Sequence, residues 1–327
     1  MLQRDPLLVI FIKMVDRLPT QKSTSVQQRG RPKIYSDQLI IKALIIMIVH
    51  RIYSAHGLLA FLDQGTALTD QLKELLHENG SFPCRRTWDR RLNQKPSYLP
   101  SQIRLTGKLL IQELQPWEKW GRAVAVDSTG LRAKGGVWHK KDREKGVVPH
   151  TSIDTEAHWG KSDYHGWFYG WKLHLATTVS SIWIPLAAQV SAANMYDGNM
   201  GPTLIEALSD DARFVLGDNH YRTPSMADIC FRENKILVAS GRKPYPKKDL
   251  GAKVRQIFHE LRSKSIEPFN QLFKNIFDWH NNVPVKGLNK TALFLLGAVL
   301  LYQIVLLYQH ENNQDVGRGI KPLLRAA

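Results

Sequence analysis

Cysteine is nearly absent: Cys84 and Cys230 stand far apart, and neither belongs to a CxxC pair. That excludes a disulfide framework and a zinc ribbon, and a reducing cytoplasm is the simplest compartment. A secretory leader is not expected either. The apolar patch at residues 7–12 is followed at once by Lys13, Asp16 and Arg17, with no small-residue cleavage site. Acidic residues are in short supply, 29 against 45 Lys and Arg, for a formal charge of +16. This balance favours a polyanionic partner, because cationic side chains displace counterions condensed on nucleic-acid phosphates. A generally basic soluble protein is the plainer alternative. Long uncharged runs are also scarce. Residues 291–308, eighteen in all, reach the lower length of a membrane span. Gly297 and Gln303 interrupt the run, and no loop asymmetry sets a topology, so it reads as a buried core helix and no membrane partner is expected.

What is present divides the 327 residues into four stretches. Residues 1–35 read as a basic N-terminal arm, because segment 21–33 is polar, broken by Gly30 and Pro32, and carries Lys22, Arg29, Arg31 and Lys33. Residues 36–116 read as helices. Ser36 is a good N-cap for a run at 39–49, further helices follow near 57–63 and 68–77, and a basic one contains Arg85, Arg86, Arg90 and Arg91. Three short helices and a basic fourth resemble a helix-turn-helix reader, whose last helix meets the major groove. A solvated basic face is the other reading of the same pattern. One more amphipathic helix spans 98–114, and Pro116-Trp117 ends it.

From 117 to 310 strands enter. Residues 122–127, 168–179 and 182–191 are rich in β-branched and aromatic side chains, and Ser180-Ser181 suits a hairpin between the last two. A helix near 199–208, a strand at 213–218, a helix opened by Thr223-Pro224, a strand at 235–240 and a long helix over 254–277 complete the order. Three strands in a meander, then strands joined by crossover helices, predict a mixed α/β sheet of five strands. Residues 131–167 have no clean period and form a basic insert loop carrying Arg132, Lys134, Lys140, Lys141, Arg143 and Lys145, suited to phosphate contact or to plain solvation. Residues 311–327 are read as a charged tail.

Asp127 closes the first strand pattern, Asp218 closes the fourth, and Glu267 sits on the long helix. A carboxylate at the mouth of a buried strand needs solvent, a partner or a metal. This order lets the three acids converge on one cleft, where two divalent ions about 3.5–4 Å apart could clamp both oxygens of an in-line phosphoryl displacement. Mg²⁺, with Mn²⁺ as a substitute, suits three carboxylates better than it suits histidines. Simple alternatives stand beside this: Asp127 before Ser-Thr-Gly as turn chemistry, Asp218 as a strand-end turn residue, Glu267 as a surface charge. Asp197 is a rival acid, read as shaping the loop after the third strand. A metal role for His150, Asp154 and His158 is disfavoured because nearby Gly and Pro oppose a helix, and Ser128 lacks a nucleophile elbow.

Several motifs in order carry a family likeness: Val126-Asp127-Ser128-Thr129-Gly130, Gly170-Trp171-Lys172-Leu173-His174 and Ala193-Asn194-Met195-Tyr196-Asp197. They continue in Leu216-Gly217-Asp218-Asn219-His220-Tyr221-Arg222 and in Ile266-Glu267-Pro268-Phe269-Asn270-Gln271-Leu272-Phe273-Lys274, with Gly30-Arg31-Pro32-Lys33-Ile34-Tyr35-Ser36-Asp37 ahead of them. The chain resembles the insertion-sequence transposases of the DDE class, which implies a ribonuclease H-like catalytic core preceded by an all-helical DNA-binding domain. The resemblance also implies Asp127, Asp218 and Glu267 as catalytic metal ligands for two ions, double-stranded DNA as partner, and a homodimer or larger assembly on DNA. A bacterial protein, cytoplasmic and nucleoid-associated when bound, is implied too. Lys274 lies two turns beyond Glu267, on roughly its face, and is read as a phosphate contact, as are Arg262, Tyr221, Arg222, Lys172 and the four arginines of the basic helix. The family signature of Tyr, two residues, Arg, three residues, Glu, six residues, Lys is kept for Glu267 and Lys274 only. Ser263 takes the Arg place, and Arg262 is five residues before Glu267. A nuclease of the same fold, or a DNA-binding relative without activity, remains the alternative function.

Overall fold

A computed structural model describes residues 5–20, 34–94, 96–117, 122–162, 166–208, 211–239, 250–279 and 282–327. Its first part is helical: α1 (Leu7–Val15), α2 (Asp37–Val49), α3 (Ala55–Leu62), α4 (Ala67–Glu74), α5 (Arg85–Asn93) and α6 (Tyr98–Leu114). Side-chain oxygens accept otherwise orphaned N–H groups where helices begin: Ser36 from Leu39, Ser54 from Gly57, Thr66 from Thr69. α1 forms where a mixed arm was expected. Its Leu8, Val9, Phe11 and Ile12 are fully buried, and removing each such side chain from water favours docking by roughly 1.5–3 kcal/mol. The basic segment 21–33 lies outside the described residues, as does the basic loop 240–249.

Strands follow: β1 (Ala123–Arg132), β2 (His158–Ser162), β3 (Gly166–Thr178), β4 (Pro185–Ala192), β5 (Phe214–Gly217) and β6 (Ile236–Ala239). They form one sheet in the order β2-β3-β1-β5-β6, with β4 paired to β3 beside β2. β1, β3 and β4 are antiparallel neighbours, while β5 and β6 continue the sheet parallel to β1. The parallel steps use crossover helices, α8 (Asp197–Glu206) before β5 and α9 (Pro224–Arg232) before β6. This is the ribonuclease H-like mixed sheet flanked by helices, with one strand more than expected. The addition is β2, from the 131–167 stretch, which also holds the short α7 (Lys140–Glu144). β2 is a five-residue strand with a single buried position, Gly160, so the sequence shows no apolar alternation there.

Two long helices cover the sheet. α10 (Leu250–Phe277) packs on β1, β3 and β5, and α11 (Leu288–Glu311) packs on α6, β4 and α2. α11 contains the uncharged run at 291–308. It is long and apolar enough to cross a membrane, but almost all of it is buried inside the protein. Its two interruptions have packing roles. Gln303 donates through Nε2 to the carbonyls of Ile103 (2.9 Å) and Pro185 (2.7 Å), joining α6 to the start of β4. At Gly297 a Cβ would come within 2.4 Å of Leu44 Cδ2, so any larger residue there requires the α2 side chains to shift. One hydrophobic core thus runs through α1, α2, α6, α11 and the sheet. The tail is not merely charged: α12 (Ile320–Ala326) buries Ile320, and Lys321 Nζ donates to Asp278 Oδ1 at 2.5 Å.

Candidate active site

Asp127 does not end its strand. β1 continues through Ser128, Thr129 and Gly130 to Arg132, paired with β3 throughout, with Asp127 opposite Leu175. The turn reading of Asp127 is therefore overturned, because a β-ladder and not a turn carries the next three residues. What ends is the other side of the ladder: β5 pairs only with Ala123, Val124 and Ala125, the last opposite Leu216. Continuing that parallel register two residues brings Asp127 level with Asp218, which leaves β5 as the cap of a 3₁₀ turn over Asn219–Tyr221. Asp218 Oδ1 accepts from the His220 backbone N–H at 2.8 Å, and its Oδ2 lies 3.0 Å from His220 Nδ1.

α10 brings the third acid. Glu267 Oε1 accepts from Arg262 Nη1 at 2.9 Å and from Ser263 Oγ at 3.3 Å, while Arg262 Nη2 stands 3.4 Å from Asp127 Oδ1. Asn270 donates through Nδ2 to Asp127 Oδ2 at 3.2 Å. Lys274 is buried on the same side, its pKa lowered by burial and partly restored by Asp127. Glu267, Asn270 and Lys274 follow the i, i+3, i+7 spacing of one helix face. That spacing was available in the sequence and could have singled out Asn270. Pro268 lacks an N–H and so removes one helix hydrogen bond directly after Glu267.

Charge is concentrated here at unequal depth. Asp127 is 18% exposed, and its carboxyl is pushed up to about 7, chiefly by desolvation. Arg262 opposes the rise, and the carboxylates of Asp218 and Asp197 add to it. Asp218 and Glu267 are more open, 31% and 53% exposed. Asp197, at the start of α8, is held by Lys172 Nζ at 2.9 Å and lies 3.7 Å from His174 Nδ1. His174 is fully buried, its Nε2 2.8 Å from Ser191 Oγ, and burial depresses its pKa to about 4.

The family model for the transposase DDE domain matches residues 119–304. The chain belongs to the transposase DDE-domain family. A protein of Aquifex aeolicus (strain VF5), described as uncharacterized, is 24% identical over 317 residues, 91% of this chain and 86% of its own length. Among solved structures, a piggyBac transposase synaptic complex with hairpin DNA covers 99% of this chain and 79% of its own, at 10% identity and a TM-score of 0.40. A pre-cleavage Mos1 transpososome covers 87% and 81%, at 13% identity and a TM-score of 0.22.

The matched DDE domain contains every acid described above, and its donor set suits a hard divalent cation. Asp127 is a largely buried carboxylate beside two others, an arrangement that a positive ion would relieve. Arg262 supplies that positive charge between Asp127 and Glu267, and among the described residues no three acid, histidine or cysteine side chains are gathered into a ready ligand shell.

The structure places the expected phosphate contacts in different surroundings. Arg91 is buried and pairs with Asp37 while donating to the Tyr35 carbonyl at 2.9 Å, so its guanidinium fastens α5 to the start of α2. Tyr221 is fully buried, and desolvation, with the Asp197, Asp127 and Asp218 carboxylates adding to it, pushes its pKa well above the usual phenol value. Lys172 is spent on Asp197 and on the Met195 carbonyl (3.0 Å). Arg85, Arg86, Arg90 and Arg222 are exposed, with Trp88 and Leu92 of α5 turned into the core.

Proposed function

We propose that this chain is a DNA transposase that cuts element ends and joins the freed 3′-hydroxyl to target DNA by two-metal phosphoryl transfer. The observation that carries the reading is the parallel register of β1 and β5, which ends two residues before Asp127 and Asp218, with Glu267 tied to Asp127 through Arg262. Asp127, Asp218 and Glu267 would hold the ions. Mg²⁺ or Mn²⁺, when bound, supplies charge neutralisation at the scissile phosphate and lowers the pKa of the attacking hydroxyl group. Asn270 fixes the Asp127 carboxylate by its hydrogen bond, and Lys274 places a cation two turns beyond Glu267, toward phosphate oxygens. Arg85, Arg86 and Arg90 on α5, the basic face of the helix-turn-helix-like region 36–116, and Arg222 beside Asp218 hold the duplex by its backbone. Two ends must be held together for joining, so a dimer or larger assembly on DNA in the bacterial cytoplasm belongs to the same proposal.

The test is Asp127→Asn, assayed for Mg²⁺- or Mn²⁺-dependent nicking and, separately, for end binding. Nicking is expected to disappear while binding stays, because a charge is lost with little change of shape; a variant that still cuts refutes the assignment. Pre-cut ends scored for strand transfer separate a transposase from a nuclease of the same fold. A relative that binds DNA without cutting is the second reading, favoured by Arg262 standing among the acids, and metal-dependent nicking by the unmodified chain excludes it.

A further inference from the structure

Arg262 holds a position that a divalent ion would also need. Its guanidinium is buried and touches two acids from different elements, Asp127 on β1 and Glu267 on α10. Five residues before Glu267 it cannot share that residue's helix face, which Ser263 occupies at four, so Arg262 extends toward the sheet and Asp127. Each acid presents one carboxylate oxygen to it, Asp127 Oδ1 and Glu267 Oε1. A guanidinium N–H and a hard cation cannot use the same small region together, because each demands close contact with the same oxygens and the two repel. Nε of Arg262 is buried with no hydrogen-bond partner among the described residues, so the side chain is only partly satisfied where it stands.

We infer that Arg262 is a resident counter-ion: its guanidinium and a divalent cation are alternative occupants of the space between Asp127 and Glu267. Without metal, Arg262 keeps the carboxylates compensated and the cleft assembled. Metal loading expels it, and the released planar fork, with five donors, is then free to take phosphate oxygens in the same cleft. This inference rests on the metal reading of the three acids.

The experiment measures Mn²⁺ binding to the full chain without DNA, by the paramagnetic resonance signal of the free ion. Unmodified protein, Arg262→Gln and Asp127→Asn are compared. Arg262→Gln is expected to bind Mn²⁺ about tenfold tighter than the unmodified chain, since the competitor is gone. In parallel, arginine side-chain ¹⁵N spectra of the unmodified protein are followed while Mg²⁺ is added. One Nε–H signal protected from exchange is expected to lose its protection at saturation. This second measurement also decides the matter should Arg262→Gln fail to fold. Binding that depends on Asp127 but is equal or weaker in a folded Arg262→Gln, or an arginine spectrum unchanged at saturating Mg²⁺, overturns the role of Arg262 alone. Absence of Asp127-dependent Mn²⁺ binding in every protein overturns the metal reading and this inference together.

Discussion

Replacing Asp127 by asparagine is expected to stabilise the metal-free protein even as it removes cleavage. The carboxyl sits among buried side chains beside Asp218 and Asp197, and its pKa is raised from 3.8 to about 7, with desolvation the largest cause. A raised carboxylate pKa means that the folded chain holds the proton more tightly than the unfolded chain does. Below 3.8 both states are protonated and nothing is lost. Between 3.8 and 7 the unfolded chain is ionised while the folded one is not, so stability falls as pH rises, and above 7 the full cost applies. A displacement of about three pH units corresponds to about 4 kcal/mol at most. Asparagine keeps the shape and an oxygen acceptor without the charge. Urea unfolding at pH 8 should therefore give the variant a stability higher by up to about 4 kcal/mol, narrowing to below about 2 kcal/mol at pH 5. A variant less stable than the unmodified chain at pH 8, or a difference that does not change between pH 5 and pH 8, refutes the reasoning.

His174 should act over nearly the same pH range with the opposite sign. Its folded pKa is depressed to about 4 by burial, with Asp197 opposing and Lys172 reinforcing, so between 6.5 and 4 the unfolded chain takes up a proton that the folded chain refuses. Stability is present above 6.5 and is lost on acidification, by about 3 kcal/mol in all; His174→Gln should flatten that slope in urea titrations, and an unchanged slope counts against it. On α5, Arg90 and Arg91 should separate cleanly. Arg91→Met is expected to lower stability by about 1–3 kcal/mol because Asp37 and the Tyr35 carbonyl lose their donor. Arg90→Met should leave the unfolding midpoint unchanged while weakening duplex binding and reducing its salt dependence, read by anisotropy at several salt concentrations. Equal behaviour of the two variants would contradict the burial difference between them.

Much of the architecture was legible because it is written in local patterns. Ser36 and Thr223 cap the helices that they precede, and the uncharged run at 291–308 is the buried α11. The strand and crossover order predicted the mixed sheet, and β2 escaped because a short strand with one buried residue carries no alternation. Residues whose type suits two environments carry no local mark of which they occupy. Arginine, lysine and tyrosine all suit phosphate by chemistry, and Arg91 is paired with Asp37, fifty-four positions away. Lys172 is likewise paired with Asp197, and Tyr221 is fully buried.

The sequence by itself determined which residues are apolar, where helices start and stop, and that three acids lie on three particular elements. Those are properties of spacing along one chain, set by the 3.6-residue and two-residue periods of helix and strand. Only the tertiary structure decided that Asp127 stays within a strand, that β1 and β5 pair in the register that ends just before Asp127 and Asp218, and that Arg262 links Asp127 to Glu267. Each of these depends on register between separate strands and on how deeply side chains are removed from water. Both are contacts between distant segments, and no local pattern records them.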